Sequence, residues 1–442
     1  MIKQISARNF KSLYDITIDF TVKGKIQETV FIYGENGSGK SNIVETVMFL
    51  KKSFDSMSNV AQVQKAFENF DDLKKYGVLE LFKGFELEQM IVNHRTVGAS
   101  DLMVLKYSFQ IEKKDYIYEL FFDQTKIVKE TLYGVLSKNK VMIFNIETKG
   151  LEIFKYFAKD VFSKDYQTEL EKLIDKYFGK NTFMAIYNNE FILKNEAYVI
   201  NNSHKQMYVF YSYLLNLMTL NNVNMVDNLF NESSYLLDNV LFGFIDEDQM
   251  NLLKSTREIV KSFLLSLYAD VKDVYYKYKI VDDRVQYELI VKKMIGGKLR
   301  EISVKDESTG TRQLLNLVPT FAQLFNHGVV VVDEIDTGIH DLLMIEVVKA
   351  IKNSSNLGQL IVTTHNTKLL DVLNKEDVFI IDTDDKGYKK VLNLTQYDIK
   401  LQKNHSLYSK YISGSFGGTP SVGYVDFDDV FNLEDDEELI DA

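Results

Sequence analysis

The chain has 442 residues, 45% of them apolar and 13% aromatic, with two prolines and no cysteine. That length can bury a sizeable core over two or three domains, and the composition excludes a disordered chain, a disulfide framework, a cysteine zinc site and a thiol nucleophile. The formal charge of −11 is concentrated at one end: residues 426 to 442 hold nine acidic residues and no basic one, which leaves 52 basic against 54 acidic residues elsewhere, a near-neutral body that neither demands nor forbids a local basic patch.

The first twenty residues, MIKQISARNFKSLYDITIDF, read as two alternating strands joined at the NFKS turn. ETVFIYGENGSGKSNIVETVMFLKKS follows as a buried strand, a glycine-rich loop and a helix. LMVLKYSFQI and YIYELFF, between about 100 and 150, have the period-two pattern of antiparallel strands. From 151 to 275 apolar residues recur at three-and-four spacing, in FAKDVFSKDYQTELEKLIDKYF and LLKSTREIVKSFLLSLYADV, which predicts an inserted helical subdomain. VYYKYKIV and YELIVKK return to strand, with MIGGK as a turn. GVVVVDEID (328 to 336) and GQLIVTTH (358 to 365) are short, uniformly apolar runs with polar C-terminal ends, the pattern of central parallel strands buried on both faces. The start MIKQISARNF lacks the apolar stretch of a signal peptide, and the best apolar run, 208 to 220, is too short to span a bilayer. A cytoplasmic protein without membrane contact is expected. The acidic end reads as a solvated tail or as a docking segment.

GENGSGKS, Gly34 to Ser41, satisfies G-x-x-x-x-G-K-[ST] between a strand and a helix. Asn36, Gly37, Ser38, Gly39, Lys40, Ser41 and the adjoining Asn42 are therefore the expected nucleotide-binding set. Glycines let backbone N–H groups face the phosphates, Lys40 reaches the β- and γ-phosphates, and the Ser41 hydroxyl ligates magnesium. A nucleoside triphosphate carries about −4 while a helix N-terminus offers about +0.5, so a metal and further positive groups are required. Asp333 at the end of VVVVD is placed to hold Mg2+, directly or through water, and Glu334 to polarise an attacking water, with a helix cap as the alternative. His365, ending the next strand, is placed to contact the γ-phosphate or to serve as a structural histidine. The histidines at 94, 204, 327, 340 and 405 have no metal-ligand spacing.

KDESTGTRQLLNL, 305 to 317, sets Ser308 and Gly310 at the mouth of an amphipathic helix, a second anion-friendly helix start about 270 residues after the first. Pro319 predicts a kink or an early end of that helix.

Together these motifs resemble the ABC-type ATPase head of the SMC, RecF and OLD-like group. The resemblance covers residues 1 to about 150 and 275 to 400. It implies an α/β fold: an ABC-type P-loop NTPase head with a mixed or parallel central sheet, an antiparallel β subdomain and an inserted helical subdomain. Residues 1–150 and 276–400 would then be the two parts of one head, 151–275 the insert and 401–442 a C-terminal extension. In that group two heads stack head to tail and the signature motif of one closes on ATP held by the other. Ser308, Gly310 and Gln313 in STGTRQ resemble the family's S-x-G-x-x-Q, departing from LSGGQ at Thr309 and Thr311. The resemblance also implies that Lys11 of NFKS lies near the nucleotide and that Asp336-Thr-Gly-Ile-His340 is the D-loop, a structural helix start being the alternative. The Q-loop glutamine is left between Gln89 and Gln110. YISGSFGGTP, 411 to 420, resembles a C-terminal block of stand-alone ATPases associated with abortive phage infection (AbiL-like), a glycine-rich turn being the plain alternative. IIDTDDKG, 380 to 387, reads as a strand ending in a turn rather than as a nuclease site.

The resemblance implies ATP and Mg2+ as cofactors, ATP hydrolysis, and a homodimer on ATP binding, with a higher oligomer open. Three functions follow: a phage-defence ATPase controlling a separate toxin or nuclease effector, a RecF-like DNA repair or maintenance ATPase that binds DNA, and a nucleotide-gated scaffold that does not hydrolyse ATP.

Overall fold

A computed structural model describes residues 1–69, 86–221, 236–237, 239–281, 283–355, 357–397 and 406–419. The acidic tail, Pro420 and His405 lie outside the described residues. Among those described, a six-stranded sheet runs in the order Leu217–Asn221, Val329–Asp333, Gln359–Thr363, Thr29–Tyr33, Val378–Thr383, Lys389–Asn393. All neighbours are parallel except the last pair.

Residue alternation explains why these strands are uniformly apolar. Val30, Ile32, Val329, Val331, Ile361, Phe379 and Ile381 join one core, while Phe31, Tyr33, Val330, Val332, Leu360, Val362 and Ile380 join another. Both faces are thus covered, as a parallel sheet requires. The first face carries the helix Lys40–Asn69 and a seven-stranded antiparallel sheet whose members include Ile2–Phe10 and Met103–Ile111. The second carries the helices Val318–Phe325, Asp341–Asn353 and Leu407–Ile412. Gln359, fully buried, stitches two sheets together: its amide accepts from Ile2 N at 2.6 Å and donates to Ile2 O at 2.9 Å.

The helices expected between 151 and 275 are present at Lys164–Tyr177, Phe183–Leu193, Lys205–Leu215 and Met250–Leu267. The same stretch also supplies strands to its surroundings. Glu152–Phe157 closes the seven-stranded sheet and Leu217–Asn221 pairs with Val329–Asp333. Phe242–Ile245 joins a four-stranded antiparallel sheet with Val271–Val281, Arg284–Ile295 and Lys298–Ser303. The bound at 275 therefore falls inside a strand. Four-residue and five-residue strands are too short for periodicity to separate from helix. The run 208 to 220 divides between a helix and a strand, and no helix among the described residues is long and apolar enough to cross a membrane.

Helix Thr309–Asn316 stops short, and a new one starts at Val318 with Pro319 in its first turn, where the missing N–H costs nothing. IIDTDDKG is a strand and a tight turn: Gly387 N donates to Asp384 O at 2.9 Å, leading into Lys389–Asn393.

Candidate functional site

The C-terminal ends of the three strands Thr29–Tyr33, Val329–Asp333 and Gln359–Thr363 lie side by side, with Ile32 opposite Thr363 and Val332 opposite Val362. This register gathers Gly34, Asp333, Glu334, Thr364 and His365 on one edge, the usual place for ligands in open parallel sheets.

The loop from Gly34 to Gly39 leads into the helix beginning at Lys40. Gly37 and Gly39 have φ of 78° and 100°, a region costly for any other residue. At Gly34 a Cβ would sit 2.5 Å from Ile381 Cγ2 and 2.9 Å from Ile381 O, so only glycine lets the loop start so close to the neighbouring strand. The Ser38 hydroxyl is buried without a hydrogen-bond partner among the described residues, a donor positioned for an acceptor the chain does not supply. Lys40 is 5% exposed, and its ammonium donates to Gly34 O at 2.8 Å and Glu35 O at 2.9 Å. Burial lowers its pKa to about 8, opposed by Glu334, Asp333 and Glu35, so the two strand-end carboxylates act on the loop lysine.

Asp333 is 6% exposed and accepts a hydrogen bond from the Thr363 hydroxyl. Burial raises its pKa; Thr363 and the Ser41 hydroxyl act against that, while Glu334 and Glu45 add to it. Ser41 and Asp333 are thus joined at the spot where a magnesium ion would sit. Among the described residues no group of three or more His, Asp or Glu forms a metal cage. Mg2+ needs none: it takes one or two protein oxygens and completes its shell with phosphates and water. The residues present fit a magnesium nucleotide.

Glu334 leaves the strand in a left-handed conformation, φ 50°, an arrangement that costs of order 1–3 kcal/mol and persists only where the surroundings impose it. Its amide donates to Thr363 Oγ1 at 2.8 Å and its carboxylate accepts from Thr337 Oγ1 at 3.1 Å. That kink separates the directions of adjacent acids: Asp333 turns inward and Glu334 outward, where His365 Nε2 lies 3.9 Å from its Oε1. Burial and Lys40 lower the His365 pKa, the nearby carboxylates opposing, so the ring is neutral near pH 7 and offers one N–H and one lone pair. Asp336 accepts from the Thr364 hydroxyl, and burial raises its pKa. It braces the residue before His365, while the cap of the following helix is His340, whose ring accepts from Leu342 N at 3.2 Å.

Lys11 sits in the NFKS turn with φ 47° and forms an ion pair with Glu45, one turn along the helix from Ser41. Asn42 turns to the same region, donating to Ser12 Oγ at 2.6 Å. Neither glutamine proposed for the Q-loop is drawn to the site: Gln89 bonds Asn93 at 2.8 Å, and Gln110 N bonds Met1 O at 2.9 Å.

The second helix start is built differently. Ser308 caps the helix Thr309–Asn316, accepting from Thr311 N at 3.1 Å. Gly310 was expected to admit a phosphate; within the chain it admits Gly338 O, which a Cβ would approach to 2.7 Å. Gln313 packs beside Gly338, so the segment 308–313 is seated on the turn around Gly338 of its own chain. The Arg312 Nε is buried without a hydrogen-bond partner among the described residues.

Sequence reasoning missed Thr363, Thr364 and Lys389. The two threonines were visible as the TTH ending of a strand. Lys389 had no local signal: its ammonium reaches Ser12 Oγ at 2.6 Å and Gly37 O at 3.4 Å, and burial lowers its pKa.

The RecF/RecN/SMC N-terminal domain family model matches residues 1–389, and the chain belongs to that family. Solved structures to which the chain is similar include the SMC head domain from Thermotoga maritima, at 13% identity over 90% of this chain and 99% of that one with a TM-score of 0.40. An Smc head bound to the C-terminal winged-helix domain of ScpA is 14% identical over 90% and 99%, TM-score 0.46. The Pyrococcus furiosus Smc head with an extended coiled coil, bound to the C-terminal domain of ScpA, is 14% identical over 89% and 97%, TM-score 0.41. The fold is that of an ABC-type P-loop ATPase head, and the chain is an SMC/RecF-like ATPase by family.

Proposed function

As a member of that family, we propose, this chain binds and hydrolyses Mg-ATP and uses ATP to close two copies of itself head to tail. The observation that carries the reading is the meeting of Lys40, the Ser41–Asp333 pair, Glu334 and His365 at one edge of the parallel sheet. Magnesium would supply charge neutralisation across the phosphates. Lys40 and the loop amides hold the triphosphate; Glu334 orients a water and takes its proton; His365, neutral, keeps a hydrogen bond at the terminal phosphate. One loop and one lysine cannot balance about four negative charges. The Thr309–Asn316 helix start of a second copy, with Arg312 beside it, would provide the remainder.

The output of this switch, in our reading, is control of a separate toxin or nuclease effector in anti-phage defence, supported by the resemblance of residues 411–420 to abortive-infection ATPases of AbiL-like type. A RecF-like role in DNA maintenance is supported as well by the family match over residues 1–389. ATP turnover by the purified chain, with and without double-stranded DNA, separates them. Turnover abolished by Lys40→Ala and unaffected by DNA supports the effector switch; stimulation by DNA supports the repair reading. Normal ATP-driven dimerisation with background turnover supports a non-hydrolysing scaffold and overturns the enzyme.

A further inference from the structure

Residues 406–419 lie beyond the family match, which ends at 389, yet they are packed against the phosphate loop. Ser406 caps the helix Leu407–Ile412, and Gly414, Gly417 and Gly418, with φ of 71°, 67° and 64°, turn the chain back over the end of the strand Val378–Thr383. At Gly417 a Cβ would lie 3.0 Å from the Asp382 carboxylate. At Gly418 it would lie 2.7 Å from Ile380 Cγ2, 3.0 Å from Ile381 O and 3.3 Å from the Cα of Gly34. Backbone therefore meets backbone at the first residue of the loop, an approach that a side chain would prevent.

Tyr411 completes the contact. It is 5% exposed, its ring meets Tyr33 edge-on with centroids 5.5 Å apart, and its hydroxyl donates to Gly418 O at 2.8 Å. On its carbonyl side Gly34 accepts from the Lys40 ammonium at 2.8 Å. A continuous set of contacts thus runs from Tyr411 through Gly418 and Gly34 to Lys40. Beside it opens a cavity of about 350 Å³ whose walls include Glu35, Asn36, His365, Tyr411, Ile412 and Thr419, so the same block also borders the His365 corner.

We propose that Tyr411 is a positioning residue of the nucleotide site: its hydroxyl holds Gly418 against Gly34 and so fixes the start of the phosphate loop, making the C-terminal block a clamp on ATP binding. This rests on the ATP-binding reading above. Glycine has the largest backbone freedom to lose, so a loop that opens on an untethered glycine pays more ordering entropy when a triphosphate binds. A tether that removes that cost acts on affinity and leaves the chemistry at Glu334 alone.

The test uses the full chain with Tyr411→Phe, which keeps the ring against Tyr33 and removes only the hydroxyl. The measurements are calorimetric Kd for Mg-ATP, turnover against ATP concentration, and melting temperature. Loss of one buried hydrogen bond predicts a rise in Kd and KM of roughly three- to tenfold with kcat changed by less than about twofold. Gly418→Ala, which forces a Cβ onto Ile381 O and Gly34, predicts the same split with a rise above about tenfold. Wild-type Kd and KM in Tyr411→Phe, whatever its melting temperature, overturn the clamp and leave the tyrosine a packing residue. Absence of ATP binding by the unmutated chain removes the nucleotide reading and the clamp with it, an outcome visible before any variant is made.

Discussion

The two glycine-bearing helix starts of this chain are similar in sequence and opposite in construction. At Gly34–Ser41 the backbone is thrown into left-handed conformations at Gly37 and Gly39, the Ser38 hydroxyl is left without a partner among the described residues, and a buried lysine waits at the centre. At Ser308–Gln313 the Ser308 hydroxyl is already spent on Thr311, and Gly310 is in contact with Gly338 of the same chain. The first keeps its glycine conformations, its serine hydroxyl and its lysine open toward one edge of the sheet. The second is an edge braced by the turn around Gly338, whose remaining resource is the helix N-terminus and the Arg312 guanidinium. A motif match alone does not distinguish polar groups held open for a ligand from polar groups engaged in holding a turn.

That contrast breaks most easily at Lys40. Lys40→Ala is expected to weaken Mg-ATP binding by about 100-fold, the scale for losing a charge-assisted partner in a buried site, measured by calorimetry. The ligand-free protein should lose no stability at pH 7. Lys40 has a folded pKa lowered to about 8 from an ordinary 10.5, so its charged form is disfavoured by folding, and that penalty is present below pH 8 and fades only as pH rises toward 10.5. A lowered melting temperature would show the lysine to be a structural cation instead.

Glu334→Gln is expected to cut turnover by about 100-fold or more while leaving ATP affinity within a few-fold, since it removes a general base and keeps the shape. Steady-state turnover beside the binding curve checks it; equal losses in both would place Glu334 among the binding groups.

The same Lys40 shift predicts a smaller effect of pH. ATP affinity should be flat below pH 8 and fall by about tenfold per unit above it, as the lysine of the free protein loses its charge. An affinity unchanged up to pH 9.5 would contradict the assignment.

Ser308→Ala sharpens the comparison from the other side. Loss of the cap should cost about 1 kcal/mol of stability, seen as a lower melting temperature. Affinity of a single copy for ATP should stay within about twofold, because this hydroxyl faces its own helix.

What was legible in the sequence follows the range of the interactions. The phosphate loop is contiguous, so Gly34 to Ser41 were identifiable from eight letters, and VVVVDEID announced Asp333 because a strand buried on both faces must be apolar until it reaches the ligand edge. The Pro319 break needed only the missing N–H of proline. Long-range sheet order was not legible. Placing Val378–Thr383 next to Thr29–Tyr33 is what carries Lys389 to Ser12 and Gly418 to Gly34, and no local pattern at either residue encodes that adjacency. The insert was read from its helical periodicity, which Leu217–Asn221 and Phe242–Ile245 are too short to interrupt.

ATP is expected to join two copies through the Ser308–Gln313 edge, which light scattering on the Glu334→Gln chain at saturating Mg-ATP reads as mass. The expected mass is that of one chain without nucleotide and of two chains with it. A single-chain mass at saturating, demonstrably bound ATP would contradict it.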